Sequence, residues 1–236
     1  MDLKLDVLAL AAHPDDVEIS CSGTLISMVA QGKKVGIADF TRGELGTRGT
    51  AETRKEEAKV ASEIMGIHWR TNLDLGDGFF EVDQEAIMAV IHALRTTQPD
   101  LLLINAPKDR HPDHGRAAEL SQRAAFLSGL AKIKTPGLDP WRPKQILHYI
   151  QDLPLEPDVV VDISAHFDQR MEALLAYKTQ FFDPKSTEPE TPISGKSFLD
   201  VVSHRCLQTG RYIGKQYGEG FIKTRPMGVN DLTQLA

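Results

Sequence analysis

Short apolar runs alternating with longer amphipathic segments limit most what this chain can form. Leu5–Ala12, Lys34–Phe40, Trp69–Leu75 and Asp100–Ala106 read as strands, and the first and last are apolar enough to be buried on both faces. Between and after them the spacing predicts helices over Asp15–Gln31, Ala51–Met65, Asp83–Thr97 and Asp113–Gly129. Gly32 and Gly66 stop the first two, and Pro99 closes the third. Repeated βα units with buried strands predict a Rossmann-like, doubly wound α/β fold: a mainly parallel sheet ordered 3-2-1-4 with helices on both faces.

The pattern loosens after residue 130. Gln145–Gln151 and Val159–Ile163 read as further strands. Ser164–Gln180 reads as a helix capped by Ser164, Phe182–Lys196 as a proline-containing loop and Phe198–Tyr217 as a last helix. With 41% apolar residues the 236-residue chain can bury a sizeable core, and we expect one domain over 1–236, elaborated from about residue 135.

A net charge of −6 argues against a nucleic-acid partner, because no basic excess is available to displace counterions. The apolar run at Val7–Ala12 is too short for a membrane span, and Cys21 and Cys206 form no disulfide framework. A cytoplasmic protein without a membrane partner is the expectation. The first βα turn reads AAHPDDVEIS and lacks the glycine fingerprint of a dinucleotide site.

Two tetrapeptides carry the chemistry. His13-Pro14-Asp15-Asp16 follows the first strand and His111-Pro112-Asp113-His114 the fourth. In a 3-2-1-4 sheet these strands are neighbours whose helices leave on opposite faces, so the two turns should meet where such sheets bind ligands. Two imidazoles and one carboxylate around a divalent ion make an open catalytic site. That leaves a carboxylate as general base and a histidine to donate to an oxyanion. Spacing alone leaves open which aspartate is ligand and which is base. The competing possibility is that both turns merely cap helices.

The segments LALAAHPDDVEISCSGTL, DFTRGELGTRGTAETRKEEA, DRHPDHGRAAEL and YGEGF resemble the LmbE/PIG-L family of zinc-dependent N-acetylglucosaminyl deacetylases. Within it they are most similar to the bacillithiol-pathway N-acetylglucosaminyl-malate deacetylases. The resemblance implies Zn2+ (with Fe2+ or Mn2+ as alternatives) on His13, Asp16 and His114. It makes Asp15 the base, protonated His111 the oxyanion donor and Asp113 the carboxylate orienting it. Arg54 and Arg110 become substrate contacts, and a GlcNAc conjugate the substrate. It further implies a homo-oligomer, with a hexamer as one form. Some members of the family supply a tyrosine to the oxyanion, but KSFLDVVSHR offers Phe198 and no tyrosine.

The glycine-rich loop Thr41–Thr50 follows the second strand, and its Arg42 and Arg48 are candidate clamps for a substrate carboxylate. Thr191–Ser194 is a candidate second wall. His68, His92, His148, His166 and His204 lack ligand spacing, and Cys21 reads as a small core residue. Tyr217–Phe221 reads as a subunit contact or a cap of the last helix. Another deacetylase substrate, such as a chitooligosaccharide or a different glycoside, and a non-catalytic metal- or sugar-binding protein are the alternative functions.

Overall fold

The computed structural model describes residues 3–231 and Thr233. Seven strands form one sheet ordered β3-β2-β1-β4-β5-β7-β6. These are β1 Val7–Ala11, β2 Val35–Asp39, β3 Trp69–Asn72, β4 Leu101–Ile104, β5 Gln145–Tyr149, β6 Val159–Asp162 and β7 Gly218–Lys223. The first five positions are parallel, in register Val7↔Val35 and Val7↔Leu101 across the centre, and the expected 3-2-1-4 order is present. Only β7 runs antiparallel to its neighbours.

Alternation along β1 sorts its side chains to two cores. Leu8 and Leu10 join the helices α4 (Gln84–Thr97) and α5 (Pro112–Ser128) on one face. Val7, Ala9 and Ala11 join α1 (Asp16–Ser20), α2 (Ser22–Ala30) and Ala173 of α6 (Phe167–Leu175) on the other. A third cluster packs α3 (Ala51–Met65) against Leu174, Tyr177 and Phe181, and against Phe198 of α7 (Lys196–Arg211). Local signals end the helices as expected. Thr50 and Thr53 form a capping box on α3, Gly66 closes it in the left-handed region, and Pro112 begins α5.

Three expectations need correction. The first helix is two, broken at Cys21 (φ −144°), although Cys21 does pack in the core. Ser164 caps no helix: its hydroxyl donates to Asp162, and α6 starts only after a 3-10 turn over Ser164–His166. The last helix ends at Arg211, and Gly218–Phe221 lies in β7 rather than at a helix cap. Glu219 explains that strand. Its buried carboxylate accepts from the N–H groups of Gly23 and Thr24 and from the Thr24 hydroxyl, at 2.7–3.0 Å. It is also paired with Arg170 at 2.9 Å. The N-terminus of α2 is therefore capped by a strand 195 residues away. No helix among the described residues is long and apolar enough to cross a membrane.

Candidate metal centre

The turns after β1 and β4 converge at the carboxyl edge of the sheet. His13 Nδ1 lies 3.7 Å from Asp16 Oδ2, and His114 Nε2 lies 3.2 Å from Asp16 Oδ1. Donors on a tetrahedral ion bound at about 2.0–2.1 Å stand about 3.3 Å apart, and each of these histidine nitrogens is near that distance from one oxygen of the Asp16 carboxylate. His13, His111 and His114 also place one donor each within 4.8 Å of one another, as do His13, Asp77 and Asp113.

The remaining atoms of the trio are tied down, as ligand orientation requires. His13 Nε2 meets Asp77 at 3.1 Å and Asp113 at 3.2 Å, and His114 Nδ1 meets Asp109 at 2.7 Å. The Asp16 carboxylate accepts from the His13 N–H, Asn105 Nδ2 and Gln151 Nε2 at 2.7–3.0 Å. Asn105 itself accepts from the Ala12 N–H and so links both turns. These residues fit a divalent cation.

Charge follows geometry. Burial alone would lower the His114 pKa, but the charge of Asp16 and the bonds to Asp109 and Asp16 outweigh it and push it up to about 9. His13 is raised well above its ordinary value against the same burial, through Asp113, Asp16 and Asp77. Asp16 is buried too, yet His114 and His13 hold it well below the carboxylate range.

Asp15 contrasts with its neighbour. Burial pushes its pKa up to about 7, with Arg54 opposing and Asp16 reinforcing. Its backbone has φ 128°, a region L-residues rarely adopt and one where strain marks functional sites. Its carboxylate contacts Arg54 Nη1 at 3.3 Å.

His111 differs from expectation. Burial, then the neighbouring charges of His13 and His114, lower its pKa. Its Nδ1 accepts from the Asp113 N–H at 3.3 Å, which leaves a neutral ring with the proton on Nε2. The geometry favours a neutral donor rather than an imidazolium. Nor does the Asp113 carboxylate orient His111: it bonds His13, the Gly78 N–H and Arg116.

A cavity of about 390 Å³ opens onto this centre. His13, Asp15, Asp16, His111, His114, Arg54 and Arg110 all line it. The expected walls are partly present: Gly43, Leu45 and Gly46 come from the glycine-rich loop and Ile193 from the second segment. At Gly43 (φ +65°) a Cβ would stand 2.9 Å from Arg54 Nη1, so only glycine lets the loop close on that guanidinium. Arg42 and Arg48 do not reach the cavity. Arg42 pairs with Asp74 at the surface, and Arg48 bonds Ser186 and lies 3.7 Å from Glu188. Phe198 lines the wall and no tyrosine does.

Asn105, Asp109, Gln151, Asp77 and Arg205 were missed by sequence reasoning. Asp109 sits inside DRHPDH, where its position two before His111 was the available signal. Asp77, Gln151 and Arg205 come from distant segments and carry no local signal. Of the histidines without ligand spacing, His148 is buried and bonds the Asn105 carbonyl and Gln122.

Known proteins are similar to this chain in sequence and in fold. The family model described as GlcNAc-PI de-N-acetylase, PIG-L, matches residues 8–125, which hold both turns. The diacetylchitobiose deacetylase of Thermococcus kodakarensis is 29% identical over 230 residues, covering 91% of this chain and 81% of that protein. A probable N-acetyl-alpha-D-glucosaminyl L-malate deacetylase 2 of Bacillus cereus is 28% identical over 197 residues, covering 75% and 84%. The crystal structure of a conserved protein from Thermus thermophilus superimposes with a TM-score of 0.86 at 36% identity, over 95% of this chain and 97% of that one.

Proposed function

This chain belongs to the PIG-L, GlcNAc-PI de-N-acetylase, family, and from that membership we propose that it is a zinc-dependent deacetylase removing the N-acetyl group of a GlcNAc conjugate, N-acetylglucosaminyl-malate in particular. The observation that supports this reading is the contrast between two adjacent aspartates. Asp16 contacts His13 and His114, while Asp15 contacts Arg54 and has its pKa raised to about 7 by burial.

His13, Asp16 and His114 would hold a divalent ion, whose Lewis acidity would acidify water and polarise the acetamide carbonyl. Asp15 takes a proton from the attacking water, and burial makes it basic enough to do so near neutrality. The new C–O bond places negative charge on the former carbonyl oxygen, to which neutral His111 donates from Nε2. The C–N bond then breaks. Asp15 returns its proton to the leaving nitrogen, giving a free amine and acetic acid, which loses its remaining proton to become acetate. Asp113 and Asp77 keep the His13 ring oriented throughout. Arg54 steadies Asp15, and Arg110 is a substrate contact at the cavity wall.

The malate conjugate is preferred on the wording of RGELGTRGT and DRHPDHGR and on the likeness to the Bacillus cereus protein. Diacetylchitobiose is the alternative, supported by the longer match to the Thermococcus protein. Metal analysis coupled to acetate release from GlcNAc-malate, free GlcNAc and diacetylchitobiose tests both. Turnover of the malate conjugate by protein carrying about one metal per chain is expected. Bound metal without acetate release from any substrate would refute the enzyme.

A further inference from the structure

Arg205 on α7 lies in the wall between the catalytic cavity and a second groove of about 690 Å³ bordered by Asp152–Pro157 and α7. Ile19, Asp152 and Arg205 line both spaces. Arg205 Nη1 is buried and has no hydrogen-bond partner, and among the described residues Arg205 makes no salt bridge. A desolvated guanidinium nitrogen left unpaired is costly. The other two arginines of the cavity each have an acidic partner: Arg54 bonds Asp15, although its Nε is unpartnered, and Arg110 bonds Asp152. Arg205 is therefore the arginine of the cavity that has no salt-bridge partner among the described residues, and it borders both spaces. Burial lowers the Arg205 pKa against the pull of Asp152, in keeping with a cation whose full partner is absent.

We infer that Arg205 is a specificity-determining residue that binds a carboxylate on the group attached to the sugar. The guanidinium fork matches a planar carboxylate in shape and charge. Arg205 lines the cavity together with His13, Asp16 and His114, so a carboxylate held at Arg205 leaves the acetamide free to enter the metal end. The inference rests on the proposed deacetylation of a GlcNAc conjugate and narrows its substrates to acidic aglycones.

The test compares GlcNAc-malate with its dimethyl ester, which keeps the shape and loses the charge. Arg205→Met should lower kcat/KM on GlcNAc-malate about ten- to a hundredfold more than on the ester, chiefly through KM, because a lost bond to a charged group is worth about that factor. Arg205→Lys should recover part of it. A second arm needs no turnover. L-malate alone should raise the melting temperature of the metal-loaded wild type and not that of Arg205→Met, whose unliganded melting temperature and metal content serve as folding controls. Equal losses on the acid and the ester, or an undiminished malate shift in the variant, overturn the inference. Absence of turnover in the wild type refutes the deacetylase, and the malate shift still decides the role of Arg205.

Discussion

Asp15 Oδ2 lies 3.3 Å from Nη1 of Arg54, and the same Nη1 donates to the Pro14 carbonyl at 3.0 Å. One guanidinium thus holds both the charge and the strained backbone of the proposed base. Arg54→Met removes the cation that opposes burial, so the Asp15 pKa rises further. The acid limb of kcat/KM should move up by about one pH unit or more, because an adjacent opposite charge is worth about 1–3 units. A pH–rate profile of the variant checks this, and an unmoved limb would separate Arg54 from the base.

Asp15→Asn should lower kcat by about 10²–10⁴ while metal content stays constant, since a lost general base costs about that factor. The same variant reports on stability in the metal-free protein. The carboxyl group is raised from 3.8 to about 7 on folding, so its contribution is complete below pH 3.8 and is lost as pH rises through 7. Metal-free Asp15→Asn should therefore be the more stable form above pH 7, by at most a few kcal/mol, and the gap should close toward pH 4. Denaturant titrations at several pH values measure it.

Chelation should abolish turnover and lower the melting temperature, and re-addition of a divalent ion should restore both. Because His13 and His114 hold protons without the ion, uptake should release them, and apparent affinity should rise up to about pH 9. Calorimetry in buffers of different ionisation enthalpy counts the protons. In the metal-free form the His114 contribution to stability is complete below 6.5 and is lost as pH rises through about 9.

Glu219→Gln leaves Arg170 as a buried cation without its counter-charge, with only about 1% of its side chain exposed. A loss of about 3–5 kcal/mol is expected by equilibrium unfolding, since breaking a buried pair strands its partner. Replacing both residues by methionine should cost less than the single change.

Arg42→Ala should change KM less than twofold, because its partner is the exposed Asp74 and neither borders the cavity. Exposed pairs contribute about 0–1 kcal/mol, so stability should hardly change. Steady-state kinetics on the preferred substrate decide the matter.

The parallel half of the sheet and the meeting of His13 with His114 were legible because each follows from a local pattern: apolar runs, helix caps and a repeated His-Pro-Asp turn. β7 was not. Gly218, Glu219 and Gly220 defy strand propensity, and only the tertiary structure explains them. A Cβ at Gly218 would stand 2.8 Å from Val160 Cγ1, and Glu219 is spent on capping α2. The break at Cys21 was hidden because the apolar spacing runs straight through it. Arg42 and Arg48 misled because a glycine-rich loop fixes where its backbone goes, not where its long side chains end. Gln151 and Arg205 reach the cavity from segments whose positions depend on the whole sheet.

The cap on α2 also orders events during synthesis. Glu219 emerges from the ribosome 195 residues after Thr24, yet it secures α2, the helix that follows the Asp15–Asp16 turn and α1. A nascent chain can thus pair its first strands early, but the N-terminus of that helix stays uncapped until β7 has been made. A truncation that removed β7 would therefore loosen the metal end of the molecule as well as the far margin of the sheet.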